Sequence, residues 1–224
     1  MKKFLALAIA IAVLSGCAAT RPQARVTVYD FGLQRLAAPS DGSNASSNKG
    51  LQASLLVTEA SAPVSLDSTA IHYRLAYHDL AQSYTYGSSR WAAAPAILLT
   101  QRIRSRLSGI SENGVVSAAD GALTDYTLKL EIEEFAQVFD TSAESRAVVR
   151  LRASLIERPT RLVMAQRTFG VEQAAPTPNA AGAVHALTKA SDKLIGDLID
   201  WIVEELTGER KNTYLRDEIF STGN

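Results

Sequence analysis

The first strong regularity is a two-residue alternation of apolar and polar positions, which predicts strands along much of the chain. Val26 to Phe31 is rich in β-branched and aromatic residues and reads as a first strand. Ala53, Leu55 and Val57 alternate with Gln52, Ser54 and Thr58 and predict a half-buried second one. Ile71, Tyr73, Leu75 and Tyr77 share one face of a third, with His72, Arg74 and His78 on the other. Ala81 to Tyr86 then reads as a hairpin return that ends in a Gly87-Ser88-Ser89 turn. A short strand is expected at Val115-Val116. The longest β region follows, with Tyr126, Leu128, Leu130 and Ile132 on one face. At Glu133-Glu134 the phase flips, so that Phe135 and Phe139 take odd positions, and a one-residue flip predicts a β-bulge. After a turn at Asp140-Thr141-Ser142, Val149 to Leu155 and then Val163 to Val171 complete an antiparallel meander around Pro159. Arg146, Arg150 and Arg152 point away from its apolar face.

Two stretches instead repeat at three and four residues, the spacing of one helix face. Ala96, Leu99, Ile103 and Leu107 place a helix over about Trp91–Ser108, with Ser88 or Ser89 as its cap and Gly109 as its stop. Pro95 falls in its first turn or so, where a missing N–H costs little. Arg102, Arg104 and Arg106 lie beside or opposite that stripe and read as a solvated face. Val184, Leu187, Ser191, Leu194, Leu198 and Ile202 define a second helix from about Ala180 to Leu206-Thr207-Gly208, after which a polar tail is expected to fray. Strands, helix, strands, helix imply an α+β fold: an antiparallel sheet with two amphipathic helices packed on one face. Gln34 to Gly50, rich in Ser, Asn and Gly, reads as a mobile loop.

The N-terminus follows another rule. Lys2 and Lys3 precede an unbroken apolar run of ten residues, Phe4 to Val13. A bilayer-crossing helix needs about 20, so the run reads as an export signal. It closes on Leu14-Ser15-Gly16-Cys17, which resembles the lipobox of bacterial lipoproteins. Only a nucleophilic sulfur at that position can take diacylglycerol as a thioether, and the freed amine can then accept a further chain such as palmitate. Each buried methylene contributes about 0.8 kcal/mol, and stable anchoring takes more than one chain. Cys17 is the single cysteine of the 224 residues, so no disulfide can form within the chain. The expected layout is a signal over 1–16, lipidated Cys17 with a tether to 25, one domain over 26–207 and a tail over 208–224.

Composition adds mostly exclusions. An apolar fraction of 46% and a charged fraction of 21% are those of an ordinary globular protein. The formal net charge of +0 falls to about −2 once Lys2 and Lys3 leave with the signal. That offers neither a nucleic-acid footprint nor a polybasic membrane patch. The three histidines form no metal-ligand spacing, since His72 and His78 would sit about 20 Å apart along one strand and His185 has no partner. No G-x-S-x-G elbow and no phosphate-cradling glycine loop occurs. Glu131, Glu133 and Glu134 read as a charged outer face. No enzyme and no cofactor is expected. One cluster stands out: Tyr84, Tyr86, Arg90 and Trp91 gather at a strand-to-helix corner, either as a core anchor or as a contact for a partner or lipid, with Tyr86, Arg90 and Trp91 as the candidates.

The order of these features resembles the ABC-type transport auxiliary lipoprotein family, which includes the paraquat-inducible protein C branch. The resemblance is carried by the lipobox, a first strand ending Tyr29-Asp30-Phe31, Leu66-Asp67 before Ile71-His72-Tyr73-Arg74, Tyr86 to Ala92 at the helix entry, Asp125-Tyr126-Thr127-Leu128 leading to Glu133-Glu134-Phe135, and a final alanine-rich helix. It spans about residues 25 to 205. It implies a non-enzymatic envelope lipoprotein that works with an MCE (mammalian cell entry)-domain protein and an ABC permease and ATPase, in moving phospholipid or another hydrophobic solute. Ala18 after the cysteine, rather than Asp, favours the outer membrane, with the domain facing the periplasm. A homo-oligomer stays open. The alternatives are a lipid carrier with its own pocket and a structural lipoprotein of outer-membrane assembly.

Overall fold

The strand at Tyr126–Phe139, the longest in the chain, is the element on which the others are aligned. The structure, a computed structural model, describes residues 25–33 and 50–221, with side-chain surroundings given through Gly208. The lipobox, Cys17, most of the tether and all but Gly50 of the Gln34–Gly50 loop lie outside the described residues. In chain order the strands are β1 (Thr27–Tyr29), β2 (Leu55–Val57), β3 (Ala70–Leu75), β4 (Asp79–Trp91), β5 (Val115–Val116), β6 (Tyr126–Phe139), β7 (Ser145–Glu157) and β8 (Val163–Ala174). The helices are α1 (Pro95–Ser108), between β4 and β5, and α2 (Ala180–Ser221), which ends the fold.

β6, β7 and β8 form the antiparallel meander the alternation predicts. The bulge is where the phase flips. Ile132 pairs with Leu151 and Glu134 with Arg150, so Glu133 is the extra residue. That one residue keeps Phe135 on the core side, 1% exposed, in line with Leu128 and Ile132 at 0%. The opposite edge of β6 is parallel. β2 lies along Tyr126–Leu128 and β3 along Gln137–Phe139, with a single bridge from Ser61 to Glu131 between them. β1 joins β4 in parallel, and β5 joins β2 in parallel. The α+β class therefore holds, but the sheet is mixed. Alternation reports which face a residue takes, not which way its neighbour runs.

Four local expectations are corrected. Gly87-Ser88-Ser89 is not a turn: β4 runs through it to Trp91, because Ser89, Arg90 and Trp91 find ladder partners in β1. Helix α1 consequently starts at Pro95, its N1 residue, after Ala94 and with no side-chain cap. β3 stops at Leu75, so Tyr77 and His78 belong to the turn and not to a strand face. Finally, α2 does not end near Gly208 but continues to Ser221.

The arginines of α1 are the largest departure. They do not form a solvated face. Arg102, with only 10% of its side chain exposed, grips Asp192 of α2 through Nε–Oδ1 at 2.7 Å and Nη2–Oδ2 at 2.8 Å. The same guanidinium donates to the Phe31 carbonyl at 2.9 Å and lies 5.7 Å from the Phe31 ring centre. Arg106 adds a contact to Asp192 Oδ1 at 3.0 Å, and Arg104 donates to the Val57 carbonyl at 3.0 Å. One carboxylate thus clasps two helices and the chain leaving β1. Below it, Leu99, Ile103 and Leu107 of α1 and Leu187, Leu194 and Leu198 of α2 enter a single core cluster with the sheet. Ala183, Ala186 and Ala190 keep the start of α2 close to β7 and β8. Asn179 caps that helix, its Oδ1 accepting the Gly182 N–H at 2.9 Å.

Candidate interaction surface

β3 and β4 form a hairpin whose turn is closed by the His78 N–H donating to the Leu75 carbonyl at 3.0 Å. Tyr73 and Tyr84 are register partners, so their rings share a face and stack with centroids 5.4 Å apart. Tyr86 lies 4.9 Å from Tyr73, and Phe139 of β6 meets Tyr73 edge-on at 5.7 Å. The three tyrosines are only half-buried. Beneath them runs a polar chain. The Tyr86 hydroxyl donates to Gln137 Oε1 at 2.5 Å, and Gln137 Nε2 donates to Ser145 Oγ at 2.7 Å. Gln137 is wholly buried, so both ends of its amide need these partners. Burial, with the neighbouring Tyr73 adding to it, pushes the Tyr86 hydroxyl up to about 12. It remains a neutral donor at any physiological pH.

The hairpin is tied back to the meander by Arg74. Its guanidinium donates to the Leu80 carbonyl at 3.1 Å and pairs with Glu134 at 3.4 Å. His72, on the same face of β3 as Arg74 and opposite the tyrosines, stands 3.3 Å from Ser83 Oγ. Burial and the nearby Arg74 charge push its pKa down, against a smaller upward pull from Glu134. At the tip, Tyr77 and Leu80 are 54% and 57% exposed.

The three candidate contact residues are separated by this geometry. Tyr86 belongs to the aromatic face. Arg90 is exposed and stands opposite Val28 in the ladder. Trp91 is 1% exposed, with Phe31 edge-on at 5.6 Å and Phe135 at 5.8 Å, and it anchors the corner from inside the core. An indole so placed offers a partner no surface. In the sequence Leu80 and Gln137 do not stand out, and Tyr77 stands out only as part of an alternating strand face. For Gln137 a signal was present: a lone amide between Ala136 and Val138 in an apolar run requires a buried partner.

Other polar groupings are explained by their own pairing. Arg152 bridges Glu131 at 2.9 Å and Glu133 at 3.5 Å across the outer sheet face. Asp120, drawn below the usual carboxylate range by the Ser117 N–H and hydroxyl, closes a capping box. An open groove of about 680 Å³ lies between β8 and α2, and Arg167, Glu204 and Glu205 in its wall suit water better than acyl chains. Among the described residues no three His, Cys, Asp or Glu side chains are placed to hold a metal ion. No helix among them is long and apolar enough to cross a membrane.

Residues 31–198 match the model of a family described as the ABC-type transport auxiliary lipoprotein component. The fold is similar to that of a crystal structure from Xanthomonas campestris assigned to DUF330. That likeness has a TM-score of 0.68 at 20% identity and covers 83% of this chain and 99% of the other. A crystal structure of an uncharacterized protein is similar with a TM-score of 0.60 at 16% identity, covering 80% and 99%. At such identities the likeness speaks for the fold alone. No curated protein matches the sequence.

Proposed function

Because the chain belongs to the family of ABC-type transport auxiliary lipoprotein components, we propose that it is the docking lipoprotein of an MCE-linked ABC transport system. In this reading Cys17 carries a diacylglyceryl thioether and a further acyl chain on its amine. The folded domain then sits on the periplasmic face of the outer membrane. There it holds the MCE-domain component, and through it the permease and ATPase, against the membrane that receives or supplies phospholipid or another hydrophobic solute. The work is mechanical rather than catalytic. The observation that carries the proposal is the Leu14–Cys17 lipobox placed directly ahead of a domain matched to the family over residues 31–198.

Two measurements test it. Affinity purification of the native, detergent-extracted protein should recover the MCE-domain and ABC subunits; their consistent absence would sink the transport assignment. Cys17→Ser should move the protein from the membrane to the soluble fraction without lowering its thermal stability. Native mass spectrometry of that soluble form addresses the carrier alternative, since a carrier would retain lipid in a one-to-one ratio.

A further inference from the structure

We infer that the tip of the β3–β4 hairpin, through Tyr77 and Leu80, rests in the headgroup region of the same bilayer that holds Cys17. This rests on the proposed anchoring and adds to it a second contact that orients the domain. The first support is direction. β4 runs from the tip toward the core, and β1 lies parallel to it, with Thr27 level with Ser89. The chain preceding Thr27 therefore departs toward the end of the sheet that carries the tip.

The second support is reach. Cys17 is ten residues before Thr27, and ten residues span at most about 35 Å. β3 covers the distance between its partners Arg90 and Asp79 of β4 in five residue steps, from Ala70 to Leu75, which is about 17 Å. With the strands upright, the anchor cannot hold the bilayer more than roughly 20 Å beyond the tip. A tilted domain comes closer still. Such a short tether leaves the hairpin within reach of the headgroups.

The third support is chemistry. Tyrosine has an apolar ring and a polar hydroxyl, a pairing favoured at the membrane–water boundary. The formal charges flanking the tip are engaged locally. Arg74 is folded back onto Glu134 and the Leu80 carbonyl, and the Asp79 carboxylate accepts the Ala81 N–H at 2.8 Å. The β6–β7 turn at the same end, Asp140 to Glu144, is polar, with Asp140 paired to Arg146, so contact is confined to the hairpin. Of the other exposed apolar residues among those described, Leu123, Leu162 and Val163 stand at the opposite end of the sheet, where Tyr126 pairs with Glu157, while Val26, Val28, Leu33 and Val64 lie outside both ends' turns.

The test uses the full-length lipidated protein carrying Tyr77→Trp, reconstituted in phosphatidylethanolamine–phosphatidylglycerol vesicles whose acyl chains are brominated. The two native tryptophans, Trp91 and Trp201, are 1% and 4% exposed and form a shielded background. The introduced indole should shift to the blue and lose at least a third of its emission to bromolipid, while staying poorly accessible to aqueous iodide. Adding Leu80→Asp should reverse both effects. Iodide quenching without bromolipid quenching overturns the proposal, since the tip then faces water. Shielding from both quenchers overturns it too, in favour of a protein contact. Intact mass separates the two readings: no acyl mass on Cys17 overturns the anchor and the hairpin contact together, whereas acyl mass with an unquenched indole overturns the hairpin alone. Leu80→Trp provides the same readout if Tyr77→Trp fails to fold.

Discussion

Asp192→Ala is the substitution that most directly tests how the helices are held. The carboxylate receives two bonds from Arg102 and one from Arg106, at 2.7, 2.8 and 3.0 Å. Removing one partner of a fully buried pair costs about 3–5 kcal/mol, mostly through the charge left behind. Here Arg102 is 10% exposed and Asp192 31% exposed, and Arg102 retains the Phe31 carbonyl. Those discounts bring the expected loss to about 2–3 kcal/mol. Arg106 is 35% exposed, so Arg106→Ala should cost less than about 1 kcal/mol. Urea unfolding followed by the fluorescence of the buried Trp91 and Trp201 measures each variant. In a thermal melt the Asp192→Ala loss corresponds to a drop of about 4–12 °C. Arg102→Ala combined with Asp192→Ala should be less harmful than the sum of the singles, by about 1 kcal/mol or more. Asp192→Ala or Arg102→Ala within about 0.5 kcal/mol of wild type, or a strictly additive pair, would refute the clasp.

Three further positions carry expected outcomes. Gly182→Ala should lower stability by about 2 kcal/mol or more in a thermal melt despite alanine's better helix propensity, because its Cβ would stand 2.0 Å from the Thr177 carbonyl oxygen. Tyr86→Phe should cost about 1–3 kcal/mol in urea by leaving the buried Gln137 oxygen unpaired. The same variant should flatten alkaline unfolding: folding raises Tyr86 from 10.0 to about 12, so its contribution is complete below pH 10 and fades as pH climbs toward 12. Deleting Glu133 should turn Phe135 and Phe139 toward solvent and abolish near-UV circular dichroism, whereas Glu133→Ala should keep it.

The meander was legible because each of its strands has one wet face, so that hydropathy alternates and the slip at Glu133 shows as a change of phase. The helix stripes were legible for the same reason, down to Leu99, Ile103 and Leu107. Pairing direction leaves no such trace. β2 and β3 meet β6 through residues more than sixty positions away in sequence, and a three-residue strand such as β1 finds its partner only in three dimensions. Gly87-Ser88-Ser89 has a turn's composition, yet β1 supplies the ladder that keeps its last residue in a strand. Arg102 and Arg106 sit four residues apart on the flank of the α1 stripe, and whether that flank meets water or Asp192 depends on where α2 lies. The tyrosine cluster is half legible for the same reason: Tyr86 stands out in the sequence, while its pairing with Tyr73 and Gln137 depends on the register between strands.

If Cys17 anchors the domain as proposed, the pull of the tether must pass into the core, and the placement of β1 suits that load. The chain from Cys17 enters at Thr27 and pairs through only three residues, parallel to β4. Tension drawn toward the tip therefore loads these ladder bonds in shear, all at once, rather than peeling them singly. The next residues add two locks. Phe31 is packed edge-on against Trp91, and its carbonyl is held by Arg102, which is itself fixed by Asp192. A force applied through the N-terminal chain thus reaches both helices within five residues of entry, while Arg74 and Glu134 brace the hairpin beside it against β6. In the proposed adaptor role Trp91 and Asp192 would therefore matter from inside the fold: they set how stiffly the N-terminal strand is coupled to the sheet and helices.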